Sequence, residues 1–302
     1  MQDDVIIRVR DLKTQFGDQV IHEHLDLDIH SGEVLGIVGG SGTGKSVLLR
    51  TILGLNRPVA GSIEIFGKLR SEMTPADAHA AERRWGVLFQ DGALFSSLTV
   101  TQNIQVPLKE HLKLPVKLMD EIAALKIALV GLPAEAGPKY PSELSGGMRK
   151  RAGLARALSL DPEIVFLDEP TAGLDPTERN RFLNLQAGIS EEVTVILSTH
   201  IVADVRELCR QMAIIAQGQV IVEGEPETVI SQVADRVWQK AVEKQELSEI
   251  ESRYRVISRR LVGGRPVVTI YSETDPGDGF RSIDADLEDA YFFHTGAAGK
   301  VG

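Results

Sequence analysis

A glycine-rich run near residue 40 has the residue types and the spacing of a phosphate-binding loop. Glycines let the backbone wrap closely around phosphate and turn its N–H groups inward, and a helix that begins there adds its positive end. We expect Lys45 to reach the β- and γ-phosphates of a nucleotide and the Ser46 hydroxyl to bind Mg²⁺. The pattern G-x-x-x-x-G-K-[ST] is matched throughout by Gly39, Gly40, Ser41, Gly42, Thr43, Gly44, Lys45 and Ser46.

Two adjacent carboxylates form the second candidate group. The apolar run Ile164–Leu167 predicts a buried strand, and Asp168 and Glu169 follow it directly. Mg²⁺ takes few carboxylates and keeps several waters, so we expect Asp168 to hold the ion directly or through water. Glu169 is then positioned to polarise an attacking water as general base. After a phosphate-binding loop, this pair predicts a P-loop NTPase.

The elements that must position these residues indicate an α/β domain. Residues 6–38 favour strands, and Val34–Val38 is a short apolar run suited to a strand buried on both faces. The phosphate-binding loop comes next, and we expect Ser46–Leu53 to form a helix that Gly54 ends. A strand, a glycine-rich loop and a helix in this order begin a nucleotide-binding α/β unit. Further strands are predicted at 62–66, 85–89, 164–167 and 193–198.

Two regions depart from this strand-rich pattern. Between about residues 91 and 160 the periodicity becomes helical, which predicts a helical subdomain inserted into the core. One predicted helix there has an apolar face made of Leu118, Ile122, Leu125 and Leu129. Near the C-terminus we predict a hairpin at 212–223, a charged helical stretch at 228–250, two strands within 254–271 and a short helix at 287–295.

A third motif lies about 20 residues before the two carboxylates. Residues Leu144–Met148 read Leu-Ser-Gly-Gly-Met, which resembles the LSGGQ signature of ABC (ATP-binding cassette) ATPases with methionine at the usual glutamine. Ser145 is placed to cap the helix that follows, and Gly146 and Gly147 let backbone N–H groups approach an anion. Such a site works only against a γ-phosphate that a second cassette holds.

Four more residues complete the resemblance, which covers about residues 5–225. Gln90 stands at the Q-loop position, and the family implies that it binds Mg²⁺ or the attacking water. Asp175 resembles the D-loop residue that crosses the dimer interface. His200 stands at the switch position, where a hydrogen bond to the γ-phosphate is implied. Phe16 is a candidate for stacking on the adenine ring.

The ABC resemblance implies a fold, a mechanism and partners. It predicts a P-loop ABC cassette with a mixed sheet at 1–225, a helical subdomain at about 91–160 and a small α+β extension at 226–302. Two copies pair head to tail and enclose two ATP molecules with Mg²⁺. The cycle drives transmembrane permease subunits, whose coupling helices dock near Asp91–Val100. The C-terminal extension serves dimer contact or regulation, or simply packs on the cassette.

Different parts of the chain resemble two different groups of ABC transporter ATPases. Phe89–Phe95 and Tyr140–Met148 look like the Mla-type ATPases, which move phospholipids between membranes with a permease and an MCE-type lipid-binding protein. From about Thr194 onward the chain looks more like ATPases of ABC-2 type exporters of drugs, polysaccharides or lipids. The join falls between Asp175 and Val193, and a natural mosaic, a divergent family and an engineered chain are all compatible with it.

The composition restricts the alternatives. A formal net charge of -10 argues against a broad nucleic-acid surface, which needs a surplus of Lys and Arg. The single cysteine, Cys209, cannot form an internal disulfide and fits a reducing compartment. The acidic N-terminus does not read as a signal peptide, and no run of about 18 apolar residues predicts a membrane span. We therefore predict a cytoplasmic protein bound peripherally to the inner membrane.

Two other functional classes can be compared with the sequence. Soluble ABC ATPases of translation or DNA repair carry two cassettes or a long coiled coil, whereas about 100 residues separate Lys45 from Ser145 here. A catalytically inactive regulatory module would lack Lys45, Glu169 or His200, and all three residues are present. The sequence thus favours an active transporter ATPase over both classes.

Overall fold

The computed structural model describes residues 4–189, 193–296 and 299–300. Its strands are β1 (Val5–Phe16), β2 (Gln19–His30), β3 (Val34–Val38), β4 (Ala60–Ile65), β5 (Lys68–Leu69), β6 (Trp85–Leu88), β7 (Ile164–Asp168), β8 (Thr194–Thr199), β9 (Gln211–Ala216), β10 (Gln219–Gly224), β11 (Val237–Ala241), β12 (Arg255–Val262), β13 (Arg265–Tyr271), β14 (Arg281–Ser282) and β15 (Gly299–Lys300). Its helices are α1 (Lys45–Ile52), α2 (Pro75–Glu82), α3 (Val100–His111), α4 (Val116–Leu129), α5 (Gly146–Ala157), α6 (Pro176–Ile189), α7 (Val202–Leu208), α8 (Pro226–Ser231), α9 (Leu247–Arg253) and α10 (Leu287–Thr295).

A six-stranded sheet in the order β10-β9-β3-β8-β7-β6 forms the centre of the molecule. All neighbours in it are parallel except β10, which pairs antiparallel with β9. Every residue of β3, β7 and β8 is buried, as expected for strands covered on both faces. Because parallel strands end at the same edge of a sheet, the residues that follow β3, β6, β7 and β8 come together there.

A second, antiparallel sheet in the order β2-β1-β4-β5 packs beside the first. In β2, Leu25, Leu27 and Ile29 are buried, and the polar residues between them face outward. Together with β1, β3, β7 and α1, these side chains form one apolar cluster that includes Leu48 and Phe166. The cluster fixes α1, and with it the phosphate-binding loop, between the two sheets.

The predicted helical insert forms α3, α4 and α5, which pack on one another. Helix α4 is present, but its predicted apolar face lies outward: Leu125 is 64% exposed and Leu129 is 52% exposed. The buried face carries Met119, Ala123 and Ile127 instead. Both faces of this helix are apolar, so the periodicity alone does not say which of them meets α3 and α5.

The C-terminal region contains a third sheet in the order β14-β11-β13-β12-β15. The hairpins β9–β10 and β12–β13 and the helix α10 confirm the sequence predictions for these segments. The prediction of a helical stretch over 228–250 is wrong in its middle, where β11 lies. Tertiary pairing overrides the charged pattern there, because β11 pairs with β13 on one side and β14 on the other.

The C-terminal helices α8 and α10 pack against the cassette, not only against their own sheet. Val229 of α8 and Leu287 and Ala290 of α10 belong to the same apolar cluster as Val205 of α7 and Ile214 of β9. The predicted boundary near residue 226 stays a prediction, since this cluster extends across it. In the described part of the chain, none of the helices has both the length and the apolar character that a membrane crossing requires.

Candidate functional site

A cavity of about 510 Å³ opens at the edge where the central parallel strands end. It brings together the phosphate-binding loop, Glu169 directly after β7, and the residues that follow β6 and β8. Predicted site residues therefore meet here from four separate segments of the chain. The cavity is lined by Gln19, Ile21, Ser41, Gly42, Gly44, Lys45, Ser46, Val47, Gln90, Glu169 and His200.

The phosphate-binding loop has the backbone geometry that its glycines predict. Gly42 and Gly44 have φ of 80° and 99°, a left-handed region in which residues with a side chain are strained. A Cβ on Gly44 would also lie 2.4 Å from Nε2 of His22, beneath the loop. Gly44 is the N-cap of α1, so the positive end of that helix opens toward the cavity.

Lys45 is buried at the start of α1 and its ammonium group is tightly held. Nζ donates hydrogen bonds to the backbone oxygens of Gly39 at 2.8 Å and Gly40 at 3.1 Å. Nζ also lies 3.5 Å from Oε1 of Glu169. Phosphate oxygens are acceptors of the same kind with more negative charge, so this ammonium is placed to bind them.

Ser46 and Asp168 meet as predicted for a metal site. The Ser46 hydroxyl donates to Oδ1 of Asp168 at 2.8 Å, and the Ser198 hydroxyl donates to the same oxygen at 2.6 Å. The described residues contain no cluster of three or more metal-ligating His, Cys, Asp or Glu side chains. One carboxylate, one hydroxyl and the nearby Gln90 amide fit Mg²⁺, which keeps waters and takes phosphate oxygens as ligands. Sequence reasoning missed Ser198.

Glu169 and His200 form a polar pair at the cavity wall. His200 Nδ1 lies 2.6 Å from Oε2 of Glu169, and the His200 backbone N–H points at the same oxygen at 3.4 Å. Glu169 has φ of 48°, which costs a residue with a side chain about 1–2 kcal/mol. Its N–H donates to the Ser198 backbone oxygen at 2.9 Å, which helps to hold this conformation.

Lys150 is a second constraint on this strained turn, and the sequence analysis did not single it out. Buried in α5, it donates from Nζ to the backbone oxygens of Glu169 at 2.9 Å and Ala172 at 2.7 Å. Burial lowers the pKa of the Lys150 ammonium, and the Asp91 and Glu169 carboxylates oppose that shift. The basic run after the signature was visible in sequence, but its long-range contact was not.

Two further buried polar residues, His22 and Asp204, hold segments next to the site. His22 is fully buried, with Nδ1 2.7 Å from the Thr14 hydroxyl, and burial lowers its pKa to about 4. Asp204 of α7, also fully buried, accepts hydrogen bonds from Thr171 and from Arg179 of α6. This second group ties the turn after β7 to the helix that follows His200.

The signature residues lie apart from this cavity. Ser145 is the N-cap of α5 and its hydroxyl accepts the Met148 N–H at 3.2 Å, which confirms the predicted cap. Ser145 and Gly146 are exposed, and Gly147 is buried. Asp175 is also exposed, and its Oδ1 accepts the Glu178 N–H at 2.9 Å. These four predicted residues do not line the cavity of their own chain.

Phe16 lies at the rim of the site. Phe16 is the last residue of β1 and is 52% exposed. It pairs in register with Gln19, which lines the cavity. An exposed ring beside a nucleotide-sized cavity is compatible with base stacking, so its assignment to adenine stays a prediction.

Comparison with known proteins identifies relatives of this arrangement. A family model described as ABC transporter matches residues 22–172. The probable ribonucleotide transport ATP-binding protein of Mycobacterium leprae is 41% identical over 229 residues, covering 75% of this chain and 66% of the relative. The chain thus spans just under two thirds of that protein's length.

Two other relatives carry different transport names. The intermembrane phospholipid transport system ATP-binding protein MlaF of Haemophilus influenzae is 37% identical, over 78% of this chain and 89% of the relative. A methionine import ATP-binding protein of Acinetobacter baylyi is 38% identical, over 80% of this chain and 69% of the relative.

Solved structures share the fold. A dimeric ATP-binding cassette in a post-hydrolysis state, bound to ADP and Pi, matches with a TM-score of 0.67 and 25% identity. That match covers 72% of this chain and 98% of the cassette. A component of the cbiONQ ABC transporter complex from Clostridium perfringens matches with a TM-score of 0.67 and 28% identity, over 83% of this chain and 96% of the other.

Proposed function

This chain belongs to the ABC transporter family, a family of cassette ATPases, and we propose that it is the ATP-binding and ATP-hydrolysing subunit that powers a separate membrane permease. The observation that carries the proposal is the meeting of Lys45, Ser46, Asp168, Glu169 and His200 at one edge of the sheet. These residues come from three separate segments and supply a phosphate cradle, metal ligands and a general base.

The contacts support a division of roles among these residues. Lys45 and the N-terminus of α1 would bind the phosphates, and Ser46 and Asp168 would hold Mg²⁺, which would supply charge neutralisation at the phosphate oxygens. Glu169 accepts a proton from the attacking water. His200 Nδ1 holds the Glu169 carboxylate at 2.6 Å, which leaves Nε2 for the γ-phosphate contact that the family resemblance implies. Gln90 lines the same cavity and would contact the metal or the water.

A second copy of the chain would complete the site. Ser145, Gly146 and Asp175 do not line the cavity of their own chain, although their types suit an anion and an interface. In a head-to-tail pair, the exposed N-terminus of α5 would meet the γ-phosphate bound by the partner. The dimeric cassette with ADP and Pi supports this arrangement by similarity. Two ATP molecules would then be enclosed between two copies.

The membrane partner and the cargo follow from family resemblance. We infer that permease subunits dock near Asp91–Val100, which would hold the chain on the cytoplasmic face of the inner membrane. The transported substrate that we favour is phospholipid, supplied through an MCE-type protein, because the signature region is Mla-like and MlaF is among the relatives. The alternative is an ABC-2 type exporter, which the sequence after Thr194 favours. A non-transport ABC ATPase ranks third.

Release of inorganic phosphate from Mg-ATP tests the proposal. Lys45→Ala should raise the ATP dissociation constant at least tenfold and abolish measurable hydrolysis, because it removes charge-assisted hydrogen bonds to phosphate. Lys117→Ala, at an exposed lysine of α4, is the control and should match the wild type. Tight ATP binding by Lys45→Ala would contradict the phosphate-loop assignment.

The cargo needs a separate measurement on the purified complex with its permease. Phospholipid vesicles should stimulate the ATPase rate if the transporter is Mla-like. Stimulation by methionine or a ribonucleotide, but not by phospholipid, would contradict the lipid assignment and point to the cargoes that other relatives are named for.

A further inference from the structure

The C-terminal helix α10 reaches the phosphate-binding loop. Its Tyr291 hydroxyl lies against Gly40, close enough that a Cβ on Gly40 would be 3.7 Å from Oη. The Gly40 backbone N–H donates to this hydroxyl oxygen, a contact that opposes the effect of burial on the Tyr291 pKa. Tyr291 is half-buried and packs on the main apolar cluster of the cassette. A residue 251 positions further along the chain thus touches the second residue of the loop.

The backbone oxygen of Gly40 accepts several hydrogen bonds within the loop. It accepts from Nζ of Lys45 at 3.1 Å, from the Thr43 hydroxyl at 2.9 Å and from the Thr43 N–H at 3.3 Å. The Gly40 N–H lies in the preceding peptide, whose oxygen, that of Gly39, accepts from Nζ of Lys45 at 2.8 Å. The orientation of these two peptides therefore affects both the Lys45 ammonium and the turn that presents the loop N–H groups. A contact on Gly40 acts on the groups that face phosphate.

Helix α10 is anchored well enough to transmit such a contact. Asp286 and Asp289 form a reciprocal capping box at its N-terminus, and Gly296 ends it with φ of 64°. Leu287 and Ala290 are 2% and 0% exposed. The helix also packs on α7, which follows His200, and on α8. Its position is therefore fixed by α7 of the cassette and by α8 of the C-terminal region.

We propose that Tyr291 is a positioning residue for nucleotide binding: its hydroxyl accepts from the Gly40 N–H and so holds the Gly39–Gly40 peptide in the orientation that presents Lys45 and the loop to phosphate. Through it, docking of α10 sets the affinity of the site for ATP. The inference rests on the proposed function and deepens it, because it gives the C-terminal region a direct contact with the nucleotide site. Burial raises the pKa of the Tyr291 hydroxyl, so the group stays neutral near pH 7 and its oxygen accepts from the Gly40 N–H.

The test is a conservative substitution with a matched control. Tyr291→Phe keeps the ring and removes only the hydroxyl. Tyr254→Phe makes the same change at another tyrosine of the C-terminal region, whose hydroxyl contacts Asp278 and Pro276 away from the loop. ATP dissociation constants come from titration with a fluorescent ATP analogue, and KM and kcat come from phosphate release.

Tyr291→Phe should raise the dissociation constant and KM about three- to tenfold, the usual effect of one hydrogen bond, with kcat within about twofold. Its melting temperature without nucleotide should match that of Tyr254→Phe, which excludes a merely structural effect. Equal ATP affinity in Tyr291→Phe, Tyr254→Phe and the wild type would overturn the inference. Failure of the wild type itself to bind ATP would instead overturn the proposed function, and the inference with it.

Discussion

The ammonium nitrogen of Lys150 lies 2.9 Å from the backbone oxygen of Glu169 and links the signature helix to the proposed general base. Lys150 sits one turn into α5, whose N-cap is Ser145. If Ser145 meets the γ-phosphate of a partner copy, movement of α5 passes directly to the turn that orients Glu169. One buried lysine in each chain would therefore join the two composite sites of the proposed dimer.

Lys150→Met should lower kcat about ten- to a hundredfold and change ATP affinity less than threefold, since the residue orients Glu169 without facing phosphate. Steady-state phosphate release and nucleotide titration check both values. Lys117→Met, at an exposed position of α4, is the control. A wild-type kcat for Lys150→Met would show that the contact with Glu169 does not matter for the reaction.

Glu169→Gln should lower kcat by about a hundred- to ten-thousandfold, the range for loss of a general base, and should leave ATP binding intact. Glu163→Gln is a matched control, because it makes the same change just before β7, where Glu163 pairs with Arg84 on the surface. Turnover near the wild-type rate in Glu169→Gln would remove this residue from the base role.

His22 should make stability depend on pH. Burial lowers its folded-state pKa to about 4, so the unfolded chain takes up a proton more readily below about pH 6.5. The stability that its neutral form contributes is complete above that pH and is lost as the pH falls toward 4. Between pH 7 and pH 5 the wild type should lose about 2 kcal/mol more than His22→Gln in urea unfolding. Equal losses in both proteins would contradict the assignment.

Leu287→Ala should destabilise the whole protein by about 2–5 kcal/mol, because Leu287 is 2% exposed and packs in the cluster that α10 shares with the cassette. Leu261→Ala, at a leucine 72% exposed in β12, should cost less than about 0.5 kcal/mol. Urea unfolding of both variants gives the comparison. Equal effects would mean that α10 contributes no more to stability than a surface strand.

The site residues at the edge of the central sheet could be predicted, because each of them belongs to a short motif at the end of a strand. The phosphate-binding loop follows a strand, Asp168 ends one and His200 follows another, and parallel topology brings such ends together. The helix cap by Ser145 was predictable for the same reason, since an N-cap depends on neighbouring residues.

Contacts between distant segments could not be predicted in this way. Lys150, Ser198 and Tyr291 reach the site only because the chain folds back on itself, and no spacing in the sequence encodes those contacts. The strand β11 was missed because its pairing partners decide its conformation. The buried face of α4 was not identified because the helix is apolar on two sides.

We propose that two copies of this chain share ATP between the phosphate-binding loop of one and Ser145 of the other. The most direct test is the mass of Glu169→Gln in solution, by size-exclusion chromatography with light scattering, with and without Mg-ATP. We expect a shift from monomer to dimer that needs Mg-ATP and that Lys45→Ala, added to the same chain, abolishes. A monomer that binds Mg-ATP at saturation without any change in mass would contradict it.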